Sequence, residues 1–248
     1  MIDLHCHLLP GVDDGAADAD EALALARAFV AQGIVSAVVT PHVHPGRYGC
    51  DRAALEAAFE AFRALLAAQG VALTLRLGCE MRVCAESIEL LRADEVPFIG
   101  QVGDYRVLLV EFPHERLPVG GLELMRHLLG QGIRPLIAHP ERNRAVMRDP
   151  EAIRPFVDAG CWLQLTAASL TGGFGRQVLD TARYLVGEEL AWVLATDAHN
   201  LSHRPPMLVQ GRAVLAAWVG ERMAHRMVSE RPAQIIGVAT ATDAGAWV

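Results

Sequence analysis

The feature that most restricts the fold is the regular alternation of short apolar runs with longer amphipathic stretches. Seven apolar runs have the length and composition of strands: IDLH, IVSAVVTPH, VALTLRLGCE, YRVLLVEF, IRPLIAH, CWLQLT and AWVLATD. Stretches with helical periodicity lie between most of them. A strand, a helix and a further strand in succession predict a parallel sheet that helices cover on both faces. The chain is therefore predicted to belong to the α/β class.

The amphipathic stretches carry helix-end signals. DADEALALARAFVAQG has Asp18 as a predicted N-cap and ends at Gly33, and DRAALEAAFEAFRALLAAQG is rich in Ala, Leu and Glu. Further helical patterns occur at GLELMRHLLGQG, EAIRPFVDAG and RQVLDTARYLVGEE. Because no long linker, repeat or low-complexity tract separates these units, we expect a single domain over residues 1–248.

The number of strands favours a closed sheet. Seven parallel strands in a chain of 248 residues predict a distorted (β/α)7 barrel related to the TIM fold. The alternative is an open doubly wound sheet, but no glycine-rich nucleotide-binding fingerprint follows any of the strands.

Six of the seven predicted strands end on imidazole or carboxylate side chains. His5 and His7 are two residues apart, so on an extended strand they point to the same side. The carboxyl ends of parallel barrel strands meet at one face, which is where active sites of this architecture lie. Nine side chains are therefore expected at this mouth: His5, His7, Asp14, His42, Glu80, Glu111, His139, Asp197 and His199.

The convergence of these side chains predicts a metal centre. Any one of them alone is more simply explained as a helix cap or a hydrogen-bonded polar residue. Together they would repel one another without cations, because like charges in one site disfavour ionisation. Nitrogen and oxygen ligands without thiolate suit Mn²⁺, Fe²⁺ or Zn²⁺. Nine ligands are too many for one ion, so the sequence predicts two or three.

Composition removes several mechanisms. The chain has no lysine, so its 22 basic residues are all arginine, which excludes Schiff-base chemistry, a phosphate-loop lysine and a carboxylated lysine bridging two metals. Its formal net charge is -7, which disfavours a nucleic-acid partner. No cysteine has an arginine six positions further on, so the cysteine-based phosphatase mechanism is also excluded.

The cysteines and the apolar runs bear on location. The five cysteines are odd in number and are expected to be reduced thiols, with Cys6 and Cys79 as packing residues next to predicted ligands. The apolar runs are too short to span a bilayer, and no signal-peptide pattern precedes the first motif. We therefore expect a cytoplasmic protein without membrane insertion.

Two arginines follow predicted ligands closely. Arg142 lies in AHPERN and Arg204 in DAHNLSHRP, a few residues beyond His139 and His199. Clustered divalent ions hydrolyse bonds through metal-bound hydroxide, and a phosphoryl substrate also requires guanidinium partners for its oxygens. Either arginine alone is as well explained by a surface position, but beside a metal centre both suit a phosphoryl substrate.

Several motifs carry a family resemblance: IDLHCHLLPGVDDGA, TPHVHPGRYG, GCE, EFP, AHPERN, LQLTAASLTGGFG and ATDAHN. In this order and at these strand ends they resemble the polymerase-and-histidinol-phosphatase (PHP) superfamily. Within it, the chain is most similar to the bacterial manganese-dependent protein-tyrosine phosphatases of capsule and exopolysaccharide systems. The resemblance runs to about Pro206, with a weaker match at ERPAQIIG.

The resemblance implies a centre of three ions, with Mn²⁺ as the expected metal. By analogy, His5, His7, Glu80 and Asp197 would hold the first ion, Glu80, Glu111 and His139 the second, and Asp14, His42 and His199 the third. The family's phosphate-binding arginines fall on Arg142 and Arg204. Its usual substrates are phosphotyrosines in the tail of an autophosphorylating tyrosine kinase. For such a substrate we expect a metal-bridging hydroxide to attack the phosphorus in line. His44 departs from the family spacing and is expected at the rim.

Three alternatives remain. A phosphoesterase of the same superfamily acting on histidinol phosphate or on nucleotide ends would have nearly the same ligands, although LTGGFGRQ and TPHVHPGRYG are more similar to the tyrosine-phosphatase branch. A non-catalytic metal-binding module is disfavoured because the ligand set is complete. The TatD-like metal nucleases also begin on a His-x-His strand, but they do not require Asp14, His42 and His199 together.

Overall fold

The computed structural model describes residues 1–49 and 51–238. The strands are β1 (Ile2–Cys6), β2 (Ser36–Val39), β3 (His42–Val43), β4 (Thr74–Leu77), β5 (Glu80–Arg82), β6 (Gly100–Val102), β7 (Tyr105–Glu111), β8 (Ile133–Ala138), β9 (Trp162–Thr166) and β10 (Val193–Ala195). The α-helices are α1 (Ala19–Ala31), α2 (Arg52–Ala68), α3 (Ala85–Arg92), α4 (Gly121–Gly130), α5 (Arg144–Arg148), α6 (Arg154–Asp158), α7 (Ala167–Leu170), α8 (Arg176–Gly187), α9 (Leu208–Val219), α10 (Glu221–His225) and α11 (Arg231–Ile236). Two 3₁₀ turns (Pro140–Arg142 and Pro150–Ile153) and a π-helical turn (Arg226–Glu230) complete the list.

The strands form a closed parallel barrel, which confirms the predicted α/β barrel class. One sheet has the order β1-β2-β4 and the other the order β10-β9-β8-β7-β5-β3. Backbone hydrogen bonds from Asp197 N to His5 O (2.8 Å) and from His7 N to Ala198 O (2.9 Å) join β10 to β1. The barrel is thereby closed beside the two histidines of the first strand.

The barrel has seven strand positions, called staves below. Two of the staves are each broken into two short strands, and these breaks distort the barrel. The second predicted strand forms β2 and β3 on either side of Thr40–Pro41, and the third forms β4 and β5 on either side of Gly78–Cys79. The first (lower) pieces, β2 and β4, pair with each other in one sheet. The second (upper) pieces, β3 and β5, pair with each other in the other sheet. A Cβ at Gly78 would lie 2.8 Å from the Ile99 side chain, so the break brings the chain closer to the barrel interior than a side chain would allow.

The helix-end predictions agree with the structure at α1, where the Asp18 carboxylate accepts hydrogen bonds from Asp20 N (3.0 Å) and Glu21 N (2.9 Å). The single helix predicted at EAIRPFVDAG is instead a 3₁₀ turn followed by α6, since Pro155 lacks an N–H and interrupts the helical bonding. The short antiparallel strand β6 and helices α3, α5, α7 and α9–α11 were not predicted.

The two ends of the barrel differ in chemistry. Near the amino ends of the strands, Ile235 and Ile236 of α11 pack in one cluster with Ile2, Leu4 and other apolar side chains. Helix α11 also approaches β6 closely, because a Cβ at Gly100 would lie 2.0 Å from Ile235 O. The bottom of the barrel is thus closed by an apolar plug, and the polar side chains collect at the other end.

Cys6, Cys84 and Cys161 are free thiols, as predicted, and burial raises the pKa of Cys6 and Cys161, the latter to about 12. The prediction for Cys50 lies outside the described residues. Within residues 1–49 and 51–238, we find no helix with both the length and the apolar character needed to cross a bilayer.

Truncating the plug should destabilise the whole barrel. Ile235 is 1% exposed, so Ile235→Ala is expected to lower the free energy of unfolding by about 2–5 kcal/mol through lost contacts and a cavity. Urea denaturation followed by circular dichroism measures this change. Val119 is 97% exposed, and Val119→Ala should change stability by no more than about 0.5 kcal/mol. Equal effects of the two substitutions would show that α11 does not close the barrel.

Candidate metal centre

The nine predicted ligands meet at the carboxyl ends of the strands. His5 and His7 extend from β1 and its end, Glu80 and Glu111 from β5 and β7, and His139 follows β8 directly. His42 is on β3, Asp14 is in the first loop, and Asp197 and His199 follow β10. Most of these side chains are buried, but Asp14 is 40% exposed and opens onto solvent.

Four of the donor atoms form a compact group. The His5 Nε2 atom lies 3.3 Å from His7 Nε2, 3.2 Å from Glu80 Oε2 and 3.3 Å from Asp197 Oδ1. The His7 Nε2 atom lies 3.4 Å from Glu80 Oε2 and 3.5 Å from Asp197 Oδ1. A tetrahedron whose centre is about 2.1 Å from each vertex, a typical metal–ligand distance, has edges of about 3.4 Å. The His5, His7 and Glu80 atoms therefore fit a cation among them, whereas Asp197 groups with His5 and His139, so the first implied set is not grouped as a whole.

The hydrogen-bond inventory supports this fit. Glu80 Oε2, Asp197 Oδ1 and His42 Nδ1 are buried and make no hydrogen bond of good geometry among the described residues, although imidazole nitrogens lie 3.1–3.5 Å from both carboxylate oxygens. An unpartnered buried carboxylate oxygen is costly unless it meets a cation or a donor. The unpartnered atoms of Glu80 and Asp197 belong to the four-atom group just described, so the residues present fit a bound divalent ion.

Further groupings extend the cluster beyond one ion. The ligand atoms of His7, Asp14, His42 and His199 lie within 4.8 Å of one another, which contains the third set implied by the resemblance. The second set implied by the resemblance was Glu80, Glu111 and His139, and the structure groups these residues differently. Glu80 and Glu111 group with His42, whereas His139 groups with His5 and Asp197. His139 nevertheless contacts Glu80, with Nε2 2.8 Å from Oε1.

The protonation states suit ligation at two of the histidines. Burial, with Arg142 as a further cause, lowers the pKa of His139 to about 4, and burial together with His7 lowers the pKa of His199 to about 4. Both imidazoles are therefore neutral at pH 7, which is the form that binds a metal. Burial opposes protonation of His5, but the carboxylates of Glu80 and Asp197 outweigh it and raise its pKa. A cation among these atoms would displace that proton.

Two of the predicted ligands have an uncommon backbone conformation. His139 has φ 34° and Asp197 has φ 51°, in the left-handed region that residues other than glycine seldom occupy. Each stands directly after the end of its strand or one residue further on, and the chain then turns into the loop that carries an arginine. Such strain persists where the surroundings determine the conformation, and it is common at functional sites.

Two residues outside the predicted set orient the β1 histidines. Asp13 accepts a hydrogen bond from His7 Nδ1 (2.6 Å), and Gln164 Oε1 lies 2.8 Å from His5 Nδ1. Asp13 also accepts from the backbone N–H of His42 (3.0 Å). Burial opposes ionisation of Asp13, but the His7 imidazole outweighs it and lowers the pKa of Asp13 to about 2. Partners of this kind fix the ring orientation of metal-binding histidines.

Both predicted arginines lie against the cluster. Arg142 Nη1 and Arg204 Nη2 each lie 2.5 Å from Asp197 Oδ2, and Arg204 Nη1 lies 2.7 Å from His199 Nε2. The Phe174 ring covers the Arg142 guanidinium, with 4.6 Å from Cζ to the ring centroid. The two guanidinium groups therefore reach the cluster from the loops after β8 and β10.

The loop that carries Arg204 is organised by one amide oxygen. Asn200 Oδ1 accepts hydrogen bonds from the backbone N–H groups of Ser202 (3.2 Å), His203 (2.7 Å) and Arg204 (3.1 Å). An asparagine that bonds to its own following backbone in this way shapes a tight turn. The sequence signal for Asn200 is its place directly after the predicted ligand His199.

These groups surround one open cavity of ≈ 150 Å³. Its lining residues are Asp14, His42, His44, Arg47, Tyr48, Glu80, Arg82, Glu111, His114, His139, Arg142 and Arg204. His44 is at the rim, as expected. Arg82, whose Nη1 lies 3.0 Å from Glu111 Oε2, and Arg47, Tyr48 and His114 were not among the predicted site residues.

A parallel α/β barrel with buried imidazoles and carboxylates at the carboxyl ends of its strands is an architecture typical of metal-dependent hydrolases. The chain belongs to the capsular polysaccharide synthesis CpsB/CapC family, whose family model matches residues 1–237. The match covers every predicted ligand and both arginines.

Curated relatives and solved structures agree with this family. The chain is 36% identical over 204 residues to the tyrosine-protein phosphatase YwqE of Bacillus subtilis, a match that spans 82% of this chain and 79% of the relative. It is 29% identical over 245 residues to the tyrosine-protein phosphatase CpsB of Streptococcus pneumoniae, across 95% and 98% of the two chains. A crystal structure from work on these two proteins, described as metal-dependent tyrosine phosphatases, superposes with a TM-score of 0.88 at 34% identity, covering 97% of this chain and 96% of the other.

More distant structures share the fold alone. A lactonase mutant from Deinococcus radiodurans superposes with a TM-score of 0.59 at 18% identity, covering 95% of each chain. It supports the barrel assignment.

Removing the carboxylate behind His7 should weaken metal binding. Asp13→Ala is expected to lower the affinity for Mn²⁺ by about 10–100-fold, because the His7 ring loses the partner that orients it. Asp13→Asn keeps an acceptor oxygen and should lose less. Titration calorimetry of metal-free protein with Mn²⁺ measures both, with the exposed Asp104→Ala as the control. Wild-type affinity in Asp13→Ala would contradict the orienting role.

Proposed function

We propose that this protein is a metal-dependent protein-tyrosine phosphatase. The observation that carries the proposal is the placement of two guanidinium groups against a buried cluster of imidazoles and carboxylates in one open cavity. Such a cavity has groups for divalent ions and for the anionic oxygens of a phosphoryl group. The activity named for YwqE and CpsB supports the same function.

The nine ligand candidates would hold the ions. We propose Mn²⁺, with three ions at the site, and the donor set also suits Fe²⁺ or Zn²⁺. The three groupings that contain His7 and Asp14, His5 and His7, and Glu80 and Glu111 support more than one ion. When bound, such ions lower the pKa of water and neutralise charge on the phosphoryl oxygens.

The arginines would bind and orient the substrate. Arg142 and Arg204 share the Asp197 carboxylate, which holds both guanidinium groups beside the cluster. Guanidinium N–H groups pair with phosphoryl oxygens in a fixed geometry. The two side chains would therefore fix the position of the phosphorus relative to the nine predicted metal ligands, which form the floor of the cavity and are called the ligand floor below. The tyrosine leaving group has a pKa of about 10, which reduces the need for a general acid in the protein.

We further propose that the physiological substrate is a phosphotyrosine protein, the tail of an autophosphorylating bacterial tyrosine kinase of a capsule or exopolysaccharide system. The family description, capsular polysaccharide synthesis, supports that setting. The free thiols of Cys6, Cys84 and Cys161 support a reducing compartment, which for this chain we propose to be the cytoplasm.

Substrate and metal dependence can be tested together. Purified protein with Mn²⁺ should release phosphate from a phosphotyrosine peptide, and chelation should abolish this activity until Mn²⁺ is restored. Histidinol phosphate and a nucleotide 3′-phosphate serve as comparison substrates. Faster turnover of either comparison substrate, or full activity without metal, would rule out the proposed phosphatase.

Substitutions should separate the roles of ligand and arginine. His139→Ala is expected to abolish turnover while circular dichroism and the unfolding midpoint stay close to those of the wild type. Arg204→Ala should raise the KM for the phosphotyrosine peptide and weaken inhibition by inorganic phosphate by about tenfold or more, since charged hydrogen bonds of about 1.5–3 kcal/mol are lost. Arg212→Ala, on α9, where the guanidinium pairs with Glu221 outside the cavity, is the matched control. Unchanged phosphate inhibition in Arg204→Ala would exclude its phosphate-binding role.

A further inference from the structure

Two aromatic rings stand above the ligand floor at the cavity mouth. The Tyr48 ring lies nearly parallel to the His42 imidazole, with centroids 5.3 Å apart and an interplanar angle of 6°. The His114 ring lies over His139, with centroids 6.1 Å apart and an angle of 31°. Tyr48 is half-buried and the His114 side chain is 52% exposed, whereas the two rings beneath them are more deeply buried.

The two rings reach the mouth from different strands of the barrel. His42 is on β3, the upper piece of the second stave, and His139 follows β8, the fifth stave. In a closed ring of seven staves, three steps is the largest separation that two staves can have. His114 itself follows β7, the fourth stave, so Tyr48 and His114 approach the cavity from staves two to three steps apart, and Arg142 and Arg204 line the same cavity.

Neighbouring side chains hold both rings in place. The Arg47 guanidinium lies over Tyr48, with 5.1 Å from Cζ to the ring centroid, and the His44 ring meets Tyr48 edge-on at 6.4 Å. His114 Nε2 lies 3.4 Å from Glu111 Oε1. The gap between the rings is thus bordered by oriented side chains.

We propose that Tyr48 and His114 form an aromatic slot that receives the phenyl ring of phosphotyrosine and selects aryl over alkyl phosphomonoesters. This inference rests on the proposed function. A phosphoryl group held by Arg142 and Arg204 would place its ester substituent between the two rings. A phenyl ring in the space between Tyr48 and His114 would make ring–ring contacts with both side chains. A phosphoserine side chain is shorter, so its peptide backbone would have to descend into the slot.

Binding of two phosphonates tests the slot without turnover. Calorimetry on Mn²⁺-loaded protein compares the Kd of benzylphosphonate, which carries the ring, with that of methylphosphonate, which does not. The wild type should prefer benzylphosphonate. Tyr48→Ala and His114→Ala should each reduce this preference by about tenfold, the effect of losing a ring contact and its buried area.

Ring-retaining variants separate the slot from other roles of these residues. Tyr48→Phe and His114→Phe keep the rings and should keep the benzylphosphonate preference, although the second loses its contact with Glu111. Tyr184→Ala, at a half-buried ring on α8 outside the cavity, should show the wild-type preference. The slot is refuted if the Ala variants keep the wild-type preference or if the Phe variants lose as much as the Ala variants.

The outcome is distinguishable from a failure of the proposed function. If the wild type does not hydrolyse a phosphotyrosine peptide with Mn²⁺, the phosphatase assignment fails. If it does so and the phosphonate preference is unchanged in the Ala variants, only the slot fails.

Discussion

The structure depends on the convergence of buried carboxylates and imidazoles at one end of a closed parallel barrel. Charged groups in a protein interior are strongly unfavourable unless each is paired or bound to a cation. Glu80 and Asp197 are almost completely buried, and each retains an oxygen without a hydrogen-bond partner among the described residues. Arg142 and Arg204 supply part of the balancing charge at Asp197, and bound cations would supply the rest, which would couple the stability of the mouth to ion binding.

The distortions of the barrel follow from the same requirement. The interruptions at Thr40–Pro41 and Gly78–Cys79 leave short upper strands, β3 and β5, that begin with His42 and Glu80. The bonds that join β10 to β1 lie beside His5 and His7. Irregular hydrogen bonding is therefore concentrated where ligands are positioned, whereas the opposite end is sealed by apolar contacts of α11.

Around the ligands lie groups that position other groups. Asp13 and Gln164 orient the histidines of β1, and Asp197 holds both arginines. Gln164 lies on β9, the one stave that supplies no predicted ligand. The rings of Tyr48 and His114 lie at the rim of the cavity. From the bottom of the cavity to its opening, the lining therefore changes from predicted metal ligands to arginines and then to aromatic rings.

The sequence by itself determined the α/β class, the strands that deliver the ligands and the end of the barrel at which they meet, because parallel strands share one carboxyl edge. It did not give the breaks in two staves, the groupings of His42 and His139, or the roles of Asp13 and Gln164. These depend on distances between residues far apart in the chain, such as the 2.8 Å between His5 and Gln164. Side-chain type and spacing predict which groups share a face, but only the packed barrel sets which atoms are close enough to share an ion.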